Sequence, residues 1–190
     1  MRWDEQLLGL FDDLEQQAEG LALAERDALV AEQSRAEYAG VDLAARLHGS
    51  TGARVQVDVA GLGALDGTVL RTGDGWCLLA AGGREWIVVL AAATALRGLA
   101  EGGVGERARP LTGRLGLGSA LRGLAESGGE VVLHLRDGAV TRGVLGRVGA
   151  DFLEVRPGSD PGQAAGAAAV LPFAAIAALS DGWGDGRVGS

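Results

Sequence analysis

The feature that most constrains this chain is an internal repeat, in which residues from Val131 onward match residues from Val55 onward at a spacing of 76. The second copy opens with apolar residues at every other position, the period-2 spacing of a half-buried β-strand. The matched pairs include Gly67 with Gly143, Arg71 with Arg147, Gly73 with Gly149 and Trp76 with Phe152. Glycines, an aromatic residue and apolar runs that recur in register predict a duplication, so the fold has to contain two similar β-modules.

The turns of the second copy indicate a bent, three-stranded meander. Asp137-Gly138 is a pair that readily takes positive φ, as a tight hairpin requires. Gly143 and Gly146 interrupt the next apolar run, where a strand can bend or bulge over its neighbour. Gly149-Ala150-Asp151 predicts a further turn before the third strand.

The first copy has the pattern of five short strands, with a hairpin at Gly82-Gly83. We expect these strands near Arg54–Ala60, Ala64–Arg71, Trp76–Ala80, Glu85–Leu90 and Ala93–Leu96. The ends of the two copies match after an insertion of seven residues in the second copy, with Ile87–Ala92 over Val170–Ala175 and Leu96 over Leu179. The connection Pro157–Ala168 has loop composition and is correspondingly longer.

The residues before the first copy predict a helix from Trp3 to about Leu47, because apolar residues recur at a spacing of three to four. Gly20 or Gly40 can break this helix, since glycine costs roughly 1 kcal/mol relative to alanine there. Residues 1–48 hold 11 acids against 4 arginines, a formal charge of −7, whereas the other 142 residues carry −1. The acidic helix is either a solvated surface or an amphipathic helix that pairs with a partner or its own copy.

The remaining segments give the domain boundaries. We expect an acidic amphipathic helix at 1–48, a first β-module at 49–97, a Gly-rich linker at 98–114, a short helix plus the second β-module at 115–180, and a flexible tail at 181–190. The short helix is expected over Ala120–Glu126, with Ser119 as its cap.

Catalytic and cofactor chemistry has no support in the sequence, and we expect a protein that is not an enzyme. His48 and His134 stand outside any motif, and with Cys77 they form no metal-ligand cluster. The glycine pairs at 61–63 and 116–118 lack the third glycine of a dinucleotide fingerprint. A single cysteine, an acidic start and the lack of a long apolar run favour a soluble, cytoplasmic protein without a membrane segment.

The repeated unit, a helix followed by five short and strongly bent strands, resembles the Sm-like fold of the Sm, LSm and Hfq proteins. The residues that carry the resemblance are Leu135–Gly138, Gly143, Leu145 and Gly149–Leu153, and the matched parts of the chain are Val55–Leu96 and Val131–Leu179. The order of helix, module, linker, helix and module is also similar to a group of uncharacterised actinobacterial proteins, some of them labelled Fis-family regulators. The chain has no helix-turn-helix pattern of the kind that this label implies.

The resemblance implies RNA binding on a ring of barrels, but the sequence departs from the family at the binding residues. It has no Asn, which the family uses to hold a base, and Gly73 and Gly149 stand where an Asp is expected. The near-zero charge of the two modules gives little counterion-release affinity for phosphate. Trp76 and Phe152, at equivalent positions, are expected in the core.

We therefore expect a mainly β protein with helices, in which a long N-terminal helix precedes two small, five-stranded Sm-like barrels. The expected function is a non-catalytic interaction or scaffold protein that binds a protein partner, or further copies of itself, through the acidic helix or a barrel edge. The alternative is an RNA- or DNA-binding regulatory protein that uses loop arginines, with Arg71, Arg142 and Arg147 as candidates. No cofactor or metal is expected in either case.

Overall fold

The computed structural model describes residues 26–36, 38–103, 111–158 and 168–181. The chain divides into two compact units, Met1–Val41 and Asp42–Ser190. The first half of the predicted N-terminal helix, most of the Pro157–Ala168 connection, part of the 98–114 linker and nearly all of the predicted tail lie outside the described residues.

The expectation of one helix that continues to about Leu47 is wrong, because the helix is interrupted before the first β-strand. In the first unit, helix α1 covers residues 26–36, with 38–39 also helical, and the chain turns at Gly40. Helix α2 then begins the second unit at Leu43–Gly49, and the Asp42 side chain caps it by accepting a hydrogen bond from the Ala45 N–H at 2.6 Å. The glycine and the capping aspartate together end one helix and start another.

After α2, the described part of the second unit contains helix α3 and ten strands, which fall into two sets of five. The first half is β1 Arg54–Val59, β2 Gly63–Gly73, β3 Trp76–Ala81, β4 Arg84–Val89 and β5 Ala93–Arg97. The second half is β6 Glu130–Leu135, β7 Val140–Val148, β8 Phe152–Arg156, β9 Ala169–Pro172 and β10 Ile176–Asp181. Helix α3, Leu117–Ser127, precedes the second half.

All ten strands belong to one antiparallel sheet, in the order β5-β1-β2-β3-β4-β10-β6-β7-β8-β9. The expectation of two separate five-stranded barrels is therefore wrong: β4 pairs with β10 across the halves, and the sheet is not closed. We call the β4–β10 pairing the seam. Period-2 patterning identifies a strand but not its neighbour, and β10 is buried on both faces from Ile176 to Ser180, as an interior strand must be.

The turns explain how the strands reverse direction and bend. Gly82 and Gly83 both have positive φ and form the predicted hairpin between β3 and β4. The predicted bend at Gly146 is confirmed, since the β7–β8 register shifts between Leu145 and Val148. At the β6–β7 turn only Gly138 has positive φ, while Asp137 instead accepts a hydrogen bond from the Ala139 N–H at 2.9 Å.

The core is one continuous cluster that contains buried side chains from both halves of the sheet. Leu47 of α2 and Leu121 of α3 are fully buried in it. Helix α3 starts three residues earlier than predicted, and its N-cap is Gly116 without a side-chain hydrogen bond, so the assignment of Ser119 as the cap is wrong. The two helices thus cover the sheet while the seam joins its halves.

Candidate binding groove at the seam

The seam brings together side chains that are far apart in the sequence. Ser180 of β10 pairs with Trp86 on one side and Val132 on the other, and Ala178 pairs with His134. Directly paired residues in an antiparallel sheet project from the same face, and so do residues two apart on one strand. Trp86 and His134 therefore share a face, with only small side chains of β10 between them.

The two aromatic rings meet above this middle strand. Strands β4 and β6 are two strand spacings apart, about 9.5 Å, yet the ring centroids of Trp86 and His134 are 5.3 Å apart at an interplanar angle of 45°. The Trp86 indole N–H also donates to the Ala81 carbonyl at 3.2 Å. This hydrogen bond and the ring contact hold the indole in one orientation, with part of its surface still exposed.

Two arginines lie on the same face and line a groove around the rings. Arg84 is two residues from Trp86 on β4, and Arg142 pairs with Val132 across β6 and β7. The groove has a volume of about 680 Å³. It is lined by Arg84, Trp86, Val132, His134, Val140, Thr141, Arg142, Val155, Pro157 and Ala169. Of these lining residues, all within the described part of the chain, none is acidic.

The pKa of His134 reflects both its burial and the charges around it. Burial lowers the pKa of His134 below its ordinary value, and the positive charges of Arg142 and Arg84 lower it further. The neutral imidazole is therefore the favoured form, and the surroundings of the ring oppose an additional positive charge.

The three arginines proposed from sequence do not share one site. Arg142 lines the groove, whereas the Arg147 guanidinium bonds the Glu154 carboxylate through two contacts at 2.9 and 3.1 Å. Arg71 is exposed on β2, near a bulge equivalent to that of β7. β2 and β7 are five positions apart in the strand order of the sheet. Arg71 and Arg147 thus remain equivalent in the repeat, and neither is among the residues that line the groove with Arg142.

The other residues singled out from the sequence are Trp76, Phe152, His48 and Cys77, and none of them lines the groove. Trp76 is buried as expected, but its equivalent Phe152 is 37% exposed. The His48 ring packs against Gly113, with Nδ1 3.1 Å from the Ala44 carbonyl oxygen. Cys77 is buried in the core. No group of three or more metal-ligating side chains occurs in the ranges that the structure covers.

Sequence reasoning missed Arg84 and Trp86, and it read His134 as an isolated polar residue. Arg84 and Trp86 alternate on one strand, but Trp86 and His134 are 48 residues apart. Their proximity depends on the β4–β10 pairing, and no motif in the sequence signals that pairing.

No protein-family model matches this sequence, and a comparison with curated proteins finds no match. Within the described ranges, no helix has both the length and the apolar character needed to cross a membrane.

Proposed function

We propose that this is a non-catalytic interaction or scaffold protein that assembles head to tail with copies of itself through the two outer strands of its sheet. The seam carries this proposal, because it is already an edge-to-edge contact between two similar halves. It joins the fourth strand of the first half, β4, to the fifth strand of the second half, β10. Repeating that pairing between chains would join β9 of one copy to β5 of the next.

The outer strands are the equivalents of the seam strands. Among the described residues, β5 pairs only with β1 and β9 pairs only with β8, so each has one unpaired edge. Unpaired strand edges carry backbone donors and acceptors that readily pair with another chain. In the seam register, Leu179 pairs with Ile87, and the matching residues of the outer strands are Leu96 and Val170.

Burial supports this transfer of register. Ile87, at the seam, is only 9% exposed, whereas the equivalent Val170, on the outer strand β9, is 60% exposed. An apolar residue that is buried at the seam in one copy and uncovered in the other marks a surface that lacks its partner. Pro172, which has no N–H to donate, lies one residue beyond the three positions that the seam register would use.

A second uncovered feature lies beside β9. In the first half, residues just before α3 cover Trp76, whose indole N–H donates to the Leu115 carbonyl at 2.8 Å. The equivalent Phe152 pairs with Pro172 of β9 and keeps 37% of its surface exposed. The first half therefore receives a strand from the second half and a cover from the residues before α3. Among the described residues, the same places on the second half have neither, and we propose that another chain occupies them.

An assembly of this kind is heterologous, since two different edges meet at each contact. Such contacts close into rings when the rotation between copies allows it, and otherwise extend into filaments. The test is sedimentation velocity of the full chain over a range of concentrations. We expect species larger than a dimer that grow with concentration.

Substitutions on the two edges make the test specific. Val170→Lys and Leu96→Lys each place a charge on one outer strand and should each give monomers. Mixing the two variants should give a one-to-one complex, because each retains the edge that the other lacks. Val140→Lys is the matched control, since Val140 is 53% exposed but lies on the interior strand β7 and should leave assembly unchanged. Circular dichroism spectra equal to that of the parent chain establish that the variants are folded.

Three results would contradict the proposal. The parent chain could remain monomeric at all concentrations, Val170→Lys could assemble as the parent does, or the two edge variants could fail to combine. The acidic N-terminal segment as a partner-binding helix stays a prediction, since residues 1–25 lie outside the described ranges.

A further inference from the structure

We propose that the groove at the seam binds a nucleoside phosphate, with its arginines on the phosphate and its aromatic rings against the base. The proposal concerns a face of the sheet within one chain, so it does not depend on assembly through the outer strands. The four residues that define the site are Arg84, Trp86, His134 and Arg142, and all of them line the groove.

The arginines supply the phosphate site. Guanidinium groups present paired N–H donors that match phosphate oxygens, and such charge-assisted hydrogen bonds are stronger than neutral ones. Arg84 and Arg142 line one groove from strands on either side of the seam, and no acidic side chain is among its described lining. The chain as a whole carries −8, of which residues 1–41, with 10 acids against 3 arginines, hold −7. The groove thus brings two arginines together on a protein whose negative charge lies mainly in residues 1–41.

The rings supply a surface for a flat base. Trp86 is fixed by its hydrogen bond to Ala81 and by its contact with His134, so little side-chain freedom remains to be lost on binding. Nucleobases stack on aromatic side chains without regard to sequence. Thr141, also in the lining, can donate or accept one hydrogen bond.

The volume of the groove and the exposed face of Trp86 define which ligands can bind. A volume of about 680 Å³ lies within the usual range for small-molecule sites. The same chemistry is offered by a free nucleotide and by a nucleotide within a single strand of nucleic acid. A base paired inside a duplex presents no open face to Trp86, so duplexes are excluded by this arrangement.

The experiment is a fluorescence-anisotropy titration of the full chain with a fluorescein-labelled RNA single strand of about eight nucleotides, followed by displacement with AMP, GMP and inorganic phosphate. Arg84→Gln/Arg142→Gln and Trp86→Leu test the two parts of the site. Arg71→Gln, an exposed strand arginine outside the groove, is the matched control. The variants are compared at several salt concentrations, since phosphate contacts weaken as salt rises.

We expect the double arginine variant to weaken binding by about tenfold or more, equivalent to about 1.4 kcal/mol, and Arg71→Gln to change it less than about twofold. If AMP or GMP displaces the RNA at concentrations close to the dissociation constant of the RNA, the ligand is a free nucleotide. If displacement needs much higher concentrations, the ligand is a single strand. Trp86→Leu should weaken the binding of RNA and of nucleotides but not the binding of inorganic phosphate.

Other results would overturn the proposal. These are no binding of RNA or nucleotide at low salt, equal losses for Arg71→Gln and the groove variants, or displacement by inorganic phosphate as effective as displacement by nucleotides. Because Trp86 contacts neighbouring strands, NMR spectra of the parent chain provide a second measurement that needs no variant. Added AMP should shift the Trp86 indole N–H and the His134 ring signals, and unchanged signals at saturating AMP together with absent RNA binding would also overturn it.

Discussion

At the scale of single residues, Cys77 illustrates how burial suppresses reactivity. It is fully buried on β3, and this burial raises the pKa of its thiol to about 12. The thiolate is the reactive form, so its concentration near pH 8 is negligible in the folded protein. We expect no reaction with a thiol reagent such as DTNB under native conditions and full reaction in denaturant. Since the chain has one cysteine, rapid native labelling would contradict the buried placement directly.

His134 reports the charges around it. Burial is the largest cause of its lowered pKa, and Arg142 is the next. We expect Arg142→Gln to raise the pKa of His134 without restoring its ordinary value, because the contribution of burial remains. An NMR titration of the ring protons measures this shift, with Arg71→Gln as the control of equal charge change. A pKa that is the same in Arg142→Gln as in the parent chain would show that the two groups are not neighbours.

The same residue gives the protein an acid sensitivity with a defined sign. The pKa of His134 is lower in the folded than in the unfolded state, so the unfolded state takes up the proton first as pH falls. Stability from this group is therefore unaffected above the ordinary histidine range and declines as pH falls below the unfolded-state pKa, near 6.5. We expect His134→Gln to reduce the loss of melting temperature between pH 7.5 and pH 5.5. An equal loss of melting temperature in the parent chain and in His134→Gln would contradict this role of His134.

At the scale of elements, the two halves also meet through their first hairpin turns. Gly61, in the β1–β2 turn, has φ +73°, and a Cβ there would overlap the backbone of residues 135–138 in the β6–β7 turn. Gly63 has φ +98° and open space around it. Gly61→Ala should cost about 2–4 kcal/mol from the unfavourable φ together with the overlap, and Gly63→Ala only about 1–2 kcal/mol. Urea unfolding measures both, and equal losses would mean that the turns do not touch.

Sequence patterns predicted most strands because their signals are local. β1 and β3 begin where the period-2 runs do, at Arg54 and Trp76, and the Gly82-Gly83 turn is fixed by two residues that tolerate positive φ. Helix α3 was placed too late because Gly116, an N-cap without a side chain, leaves no polar signal. Local signals of this kind could not give the groove, because it combines strands 48 residues apart in the sequence.

At the scale of the whole molecule, the duplication predicted two modules but not their union. The repeat makes the halves equivalent in sequence, yet β4 and β10 are interior strands while their counterparts β9 and β5 are outer strands. Equivalent residues therefore have different surroundings, which a repeat alone cannot reveal. The union also creates the groove, since Arg84 and Trp86 come from one half and His134 and Arg142 from the other.

This union has a consequence for how the protein unfolds, because the seam and the shared core leave neither half with a complete interior of its own. We expect residues 42–181 to unfold in one transition, measured at a concentration at which the chain is monomeric. The matched pair Ile87→Ala and Val170→Ala tests this expectation at equivalent positions of the repeat.

Ile87→Ala should cost about 2–5 kcal/mol, since it opens a cavity at the buried seam, and Val170→Ala should cost less than about 0.5 kcal/mol, since that side chain is mostly solvated. Hydrogen exchange should show the Ile87→Ala loss in strands of both halves, because a domain that unfolds as one unit loses protection throughout. A loss confined to β1–β5, or two separate transitions, would mean that the halves fold independently and that the seam is a contact between finished domains.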